Sequence, residues 1–250
     1  MRRLLIIAAL ALPLPATAQP WAPEGARVAG RQAIAAAGAG RWGEAESYVG
    51  AADPLAAKIV LWMRLSNRAA PASAAELVSF LAENPDWPLP DTTARRAEAA
   101  LTVEGDDGLA LRHFARYPAR TLPGTLRHAE ALDRAGRGQE AREVLRRGWV
   151  ETPGDAIAEE AILLRFGSAL TEDDQWRRFD RLAFARDFAG AGRAAQRLSG
   201  ARRNAADLRL ALAREDDAAL AVRAPDIGVA YEQARLLRRR DRDQEAAAVW

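Results

Sequence analysis

The chain has 250 residues, 28% of them charged and 49% hydrophobic, with no cysteine and two histidines. The missing cysteine excludes a disulfide framework, a thiolate metal site and a lipid-attachment cysteine. The isoelectric point near 9.5 invites a nucleic-acid reading, but without Arg2 and Arg3 the 36 basic residues fall to 34, equal to the 34 acidic ones.

Lys58 is the only lysine, and alanine makes up about a quarter of the chain. The arginines therefore read as solvated helix faces with carboxylate partners at helical spacing. The run Arg235 to Arg242, flanked by Glu232, Asp241, Asp243 and Glu245, fits that pattern. No nucleic-acid partner is expected.

Met1-Arg2-Arg3, the apolar run Leu4 to Leu14 and the Ala16-Thr17-Ala18 site read as a signal peptide over residues 1–18, cleaved before Gln19. The apolar run is too short to span a bilayer and contains Pro13. The mature chain is expected to be exported and soluble, periplasmic in a Gram-negative source, with no membrane anchor.

Residues 19–250 read as one α-superhelical domain, since strand signals are nearly absent. Asp53-Pro54 opens an apolar stripe of Leu55, Ile59, Trp62 and Met63. Ser73 and Glu76 form a capping-box pattern ahead of Leu77, Phe80 and Leu81. The prolines of Asn84-Pro85-Asp86-Trp87-Pro88-Leu89-Pro90 keep that segment out of a continuous helix. Helices are then predicted over about 91–102, 106–117, 123–136, 138–150 and 155–167. Thr171 to Asp174 caps a helix bearing Trp176, Phe179, Leu182 and Ala183, and further helices cover about 187–199, 201–214, 216–223 and 227–240. After a turn at Asp241-Arg242-Asp243, Gln244 to Trp250 opens another helix with no terminating residue. The expectation is that this is the front part of a longer protein.

A weak repeat underlies these helices. Arg41-Trp-Gly-Glu44-Ala45, Arg137-Gly-Gln-Glu140-Ala141 and Arg242-Asp-Gln-Glu245-Ala246 each sit between two predicted helices, and Asp187-Phe-Ala-Gly190-Ala191 is a divergent copy. A short polar turn followed by a small alanine suits tetratricopeptide-like hairpins, in which the second helix crosses closely over the first. The irregular spacing favours an irregular α-solenoid of antiparallel hairpins over a strict array.

Candidate chemistry is sparse. Asp106-Asp107, Glu159-Glu160, Asp173-Asp174 and Asp216-Asp217 are paired carboxylates, but neighbours on a helix point about 100° apart, and near helix starts they serve the caps and the dipole. His113 and His128 lie on different predicted helices without ligand spacing, and no phosphate loop, nucleophile elbow or zinc motif occurs. No catalytic residue, metal or cofactor is assigned. Trp42, Trp62, Trp149 and Trp176 fall on apolar stripes and read as core, while Trp21 and Trp250 lie near the ends. Trp87, in the proline-flanked loop, is the one candidate for stacking on a sugar ring; the alternative is a plug between two hairpins.

Phe80-Leu-Ala-Glu-Asn84-Pro85-Asp86-Trp87-Pro88, followed by Arg95-Arg96-Ala-Glu98-Ala-Ala-Leu101, resembles the superhelical part of soluble lytic murein transglycosylases. So do Lys58 to Leu65, Arg178 to Leu198, and Tyr231 to Arg239 with the Glu245-Ala246 turn. The resemblance spans about 55–250 and implies a U-shaped ring of helices handling peptidoglycan glycan strands. It also implies a C-terminal lysozyme-like domain that cleaves the MurNAc–GlcNAc bond through one glutamate, leaving a 1,6-anhydro sugar without a metal. This chain departs from the pattern there: Glu46-Ser47 is its only Glu-Ser pair, and the Gly-Leu-Met-Gln and Ala-Tyr-Asn-Ala-Gly segments are absent. No catalytic residue carries over, and the chain alone is expected to be inactive. The alternative from another class is an exported tetratricopeptide-like adaptor that binds an envelope protein or peptide.

Overall fold

The computed structural model describes residues 22–249, so the expected signal peptide at 1–18, Trp21 and Trp250 lie outside the described residues. Those residues hold fourteen α-helices, two short 3-10 turns and no strand. The all-α reading of helical hairpins is therefore correct. No helix among them is long and apolar enough to cross a membrane.

The described residues divide into two compact units, one ending at residue 72 and the other beginning at residue 73. In the first, α1 (Glu24–Gly38), α2 (Trp42–Val49) and α3 (Pro54–Ser66) pack around Ala33, Ala36, Ala37, Ala45 and Val60. Asp53 caps α3 by accepting the amides of Leu55 and Ala56, with Pro54 at the first helical position.

The second unit runs through α4 (Ala74–Glu83), α5 (Pro90–Leu101), α6 (Asp107–Arg116), α7 (Leu122–Arg134), α8 (Gly138–Glu151) and α9 (Ala156–Phe166). It continues with α10 (Glu172–Phe184), α11 (Phe188–Ala195), α12 (Gly200–Ala213), α13 (Ile227–Arg239) and α14 (Asp243–Ala248). Each helix packs on those one or two places away in the chain: α7 on α8 and α9, α8 on α10, α10 on α12, α12 on α13. Such near-neighbour packing characterises stacked hairpins, where the core is a series of layers. One layer gathers Leu122, Leu132, Leu145, Trp149 and Ile162, and the next Phe179, Leu182, Ala191, Leu198 and Leu210.

The repeated hairpin turn has a common geometry. Gly40, Gly136, Arg186 and Asp241 all have φ between 57° and 76°, the left-handed conformation that ends a helix. The following residue donates its amide back across the turn each time: Arg41 to the Ala36 carbonyl, Arg137 to Leu132, Asp187 to Leu182 and Arg242 to Leu237, at 2.9–3.0 Å. Four residues later stands Ala45, Ala141, Ala191 or Ala246, each at most 1% exposed. The small alanine thus lets the second helix of the pair approach the first. In three copies the arginine also clamps a glutamate three residues on: Arg41–Glu44, Arg137–Glu140 and Arg242–Glu245.

Two boundaries need correction. The helix expected over 216–223 is only a 3-10 turn, Asp217–Ala221. Asp216 caps it through the Ala218 amide, and Pro225 holds the following chain extended. The helix expected over 187–199 stops at Ala195, before Ser199 leads into α12.

Candidate functional site

The carboxylate pairs are dispersed among caps and ion pairs. Asp106 caps α6 through the Leu109 amide, while Asp107 binds Arg127 and Arg134, each at 2.7 Å. The Arg134 guanidinium beside it holds the Asp107 carboxyl well below the usual range. Asp174 closes the capping box with Thr171 and binds Arg146, Asp173 binds Arg202, and Asp217 binds Arg240. None of these carboxylates faces its sequence neighbour. Glu46 faces Arg64 at 3.7 Å, and Ser47 donates to the Glu44 carbonyl, so that pair also serves a helix surface.

His113 and His128 come together around Phe114. The His113 ring meets Phe114 edge-on at 5.1 Å and stacks on Tyr117, while His128 stacks on Phe114 at 4.8 Å. Burial pushes both imidazoles down to about 4. They are neutral packing groups at physiological pH, and no three His, Asp or Glu side chains among the described residues converge as a metal cluster.

Trp87 lies in the α4–α5 connection, half-buried, with its ring edge-on to Phe80 at 6.2 Å and 84°. Leu89 in the left-handed conformation and Pro90 at the first position of α5 complete that connection. The contact anchors the proline-rich loop on α4. Of the tryptophans read as core, Trp149 is fully buried. Trp42, Trp62 and Trp176 are only half-buried.

Trp176 lines a groove of about 500 Å³ between α10, α12 and the segment 222–226. The indole stacks on Phe179 at 5.4 Å, and the Arg202 guanidinium lies over its ring at 5.9 Å. The first two turns of α12 supply Ala201, Arg202, Asn204, Ala205 and Leu208. The opposite wall is Val222, Arg223, Ala224, Pro225 and Asp226. Gln233, 3% exposed, holds this wall by donating to the Val222 carbonyl at 2.7 Å. Asp226 caps α13 through the Val229 amide. Arg202 is engaged with Asp173 at 2.9 Å, whereas the side chains of Arg223 and Asn204 have no hydrogen-bond or ion-pair partner among the described residues. The groove combines the Arg202-capped edge of Trp176, the apolar Leu208, the Asn204 amide, the Arg223 guanidinium and the Asp226 carboxylate. The helical stripe that pointed Trp176 at the core concealed it, because the concavity depends on the 222–226 segment folding back as an extended strap.

Comparison with protein-family models, with curated proteins and with solved structures finds no match.

Proposed function

We propose that this chain is the superhelical scaffold of an exported peptidoglycan lytic transglycosylase, holding glycan strands in the periplasm for cleavage by a lysozyme-like domain. The observation that carries the reading is the Asn84-Pro85-Asp86-Trp87-Pro88 element. It joins two helices of the stacked series, and the murein-transglycosylase resemblance is strongest there. The placement of the other resembling segments on α3, α10–α11 and α13–α14 agrees with it. Among the described residues Asp106, Asp107, Asp173, Asp174, Asp216 and Asp217 serve caps and arginines, so the reading gives these pairs no part in cutting the glycan.

Co-sedimentation with purified sacculi tests the reading. The expected result is a pelleted chain with no 1,6-anhydromuropeptides released. Release of those products would overturn the scaffold assignment. Failure to pellet, with specific binding to a defined envelope protein, would replace it by the adaptor.

A further inference from the structure

We infer that the surface formed by Phe184, Ile227, Tyr231 and Arg238 is a docking site for a protein segment in which carboxylates follow an apolar or aromatic anchor. The proposal goes beyond the scaffold reading and does not rest on it.

The apolar part joins two helices. Phe184 ends α10 with 44% of its surface exposed, and its ring meets Tyr231 of α13 at 5.3 Å and 57°. Ile227, 70% exposed, lies one turn before Tyr231 on the same face of α13. A solvent-facing helix stripe ordinarily carries polar residues at such positions. Tyr231 is half-buried, and its hydroxyl has no hydrogen-bond partner among the described residues. A tyrosine that is buried on completion of an interface usually finds one there.

A buried cation lies beneath the patch. Arg209 is 1% exposed, and its guanidinium sits 4.7 Å from the centre of the Phe184 ring. The other buried arginines, Arg127 and Arg178, each bind a carboxylate and also donate to a carbonyl near a helix end, that of Leu101 or Trp149. Each of those two keeps one idle nitrogen, whereas Arg209 binds Asp180 alone and keeps both Nε and Nη2 without a partner among the described residues. A Cβ at Gly228 would overlap the guanidinium, so α13 is pressed directly against it. Unspent donors at a buried charge are costly. Under an exposed aromatic ring they point to an acceptor supplied from outside the chain.

The surrounding charge selects an acidic partner. Arg186 and Arg235 share the buried Glu232, and each keeps about a third of its side chain exposed. The Arg238 side chain is exposed and has no hydrogen-bond or ion-pair partner among the described residues. Asp226, beside Ile227, keeps its charge but accepts the Val229 amide as a helix cap. Four arginines (186, 209, 235 and 238) thus face three carboxylates (180, 226 and 232), and one of the three, Glu232, is only 2% exposed. Arg238 follows Tyr231 by seven residues, about 10 Å along the helix. About three residues of extended chain cover that distance. An anionic bilayer is the poorer fit, because attraction to it takes a cluster of about four to eight largely unopposed basic residues.

The test is selection of displayed random dodecapeptides on the immobilised chain. Enriched peptides are expected to carry an aromatic or aliphatic residue with Asp or Glu about three positions away. A synthetic peptide of the enriched sequence should lose about threefold to tenfold in affinity on Arg238→Glu, and as much on Ile227→Ser. Its binding should weaken as salt rises. Both substitutions fall at exposed positions, and circular dichroism melts check that the fold is kept. Phe184 is left intact because it covers Arg209.

No enrichment, or enrichment of basic peptides, would overturn the proposal. So would acidic peptides that bind both variants as tightly as the parent chain. Pelleting with phosphatidylglycerol vesicles, without peptide enrichment, would overturn it in favour of a membrane-facing patch. Pelleting with sacculi tests the scaffold reading separately, and neither substitution is expected to change it.

Discussion

Arg178 and Glu159 form an ion pair at 2.8 Å in which neither side chain reaches solvent. The same carboxylate accepts both arms of Arg193, at 2.9 and 3.0 Å, and faces Arg197 at 3.7 Å. The Arg178 guanidinium lies 4.5 Å over Trp149 and donates to that residue's carbonyl near the end of α8. One carboxylate on α9 thus neutralises arginines of α10 and α11, tying three successive helices to one point. Burial alone would raise the Glu159 carboxyl, but the hydrogen bonds from Arg193 and Arg178 outweigh it and hold it below its ordinary value.

Replacing Glu159 by Gln should cost about 3–5 kcal/mol, because it leaves buried guanidinium charge unanswered. Replacing Arg197, which is partly exposed and more distant, should cost less than about 1 kcal/mol. Urea melts of the two variants check the ranking, and the reverse order would remove Glu159 from the centre of the network. The pH dependence follows from the depressed carboxyl. Its stabilisation is complete above the unfolded carboxyl pKa and fades as pH falls through the lower folded value, so Glu159→Gln should flatten the acid end of the stability curve.

The histidines act one step higher on the pH scale. His113 and His128 are held at about 4 by burial, against 6.5 for the free side chain. A base with a depressed folded pKa favours the fold fully above 6.5, and that contribution is lost between about 6.5 and 4. For the well-buried His113 the loss amounts to at most about 3 kcal/mol. His113 Nδ1 has no hydrogen-bond partner among the described residues, so Phe should fit the site with little penalty at neutral pH. His113→Phe is therefore expected to remove much of the stability loss between pH 6.5 and 4, measured as melting temperature against pH. An unchanged slope would mean that the imidazole is hydrated in solution.

Gly124 illustrates how tightly α7 is seated. A methyl group there would overlap the Glu98 carboxylate. That carboxylate cannot simply move, since it accepts the Arg120 and Thr121 amides and the Thr121 hydroxyl at the start of α7. Alanine normally gains about 1 kcal/mol over glycine within a helix. Here the overlap should outweigh that gain, and Gly124→Ala is expected to lower stability by about 1–3 kcal/mol. Circular dichroism melts decide the sign.

What the sequence disclosed follows from how local each signal is. The caps at Asp53, Ser73 and Thr171 were legible because cap and helix are neighbours in the chain, and the structure forms all three. The hairpin alanines were legible for the same reason. The Glu98 contact to Thr121 and the Glu159 network join residues 19 to 38 positions apart, and spacing along one helix carries no trace of them. The Trp176 groove was hidden likewise. Its aromatic wall obeys the core pattern, and only the placement of residues 222–226 opens the space beside it.

The turn geometry gives a prediction in which the sequence itself varies. At the left-handed position two hairpins carry glycine, Gly40 and Gly136, while Arg186 and Asp241 adopt the same conformation with a side chain. A residue with a Cβ is strained there by roughly 1 kcal/mol, less for Asp than for most. Arg186 gains something in return, since it binds the buried Glu232 at 2.7 Å. The Asp241 side chain is exposed and has no hydrogen-bond or ion-pair partner among the described residues. Asp241→Gly should therefore stabilise the α13–α14 turn by a few tenths of a kcal/mol up to about 1, the relief of strain exceeding the added freedom of the unfolded chain. Gly136→Ala at φ 76° should cost about 1 kcal/mol at the corresponding turn between α7 and α8. Hydrogen exchange of the Arg242 and Arg137 amides, which close the two turns, reads the effects locally. Protection should rise at Arg242 in the first variant and fall at Arg137 in the second. A fall at Arg242 would mean that the Asp241 side chain stabilises its turn through an interaction stronger than the strain it bears.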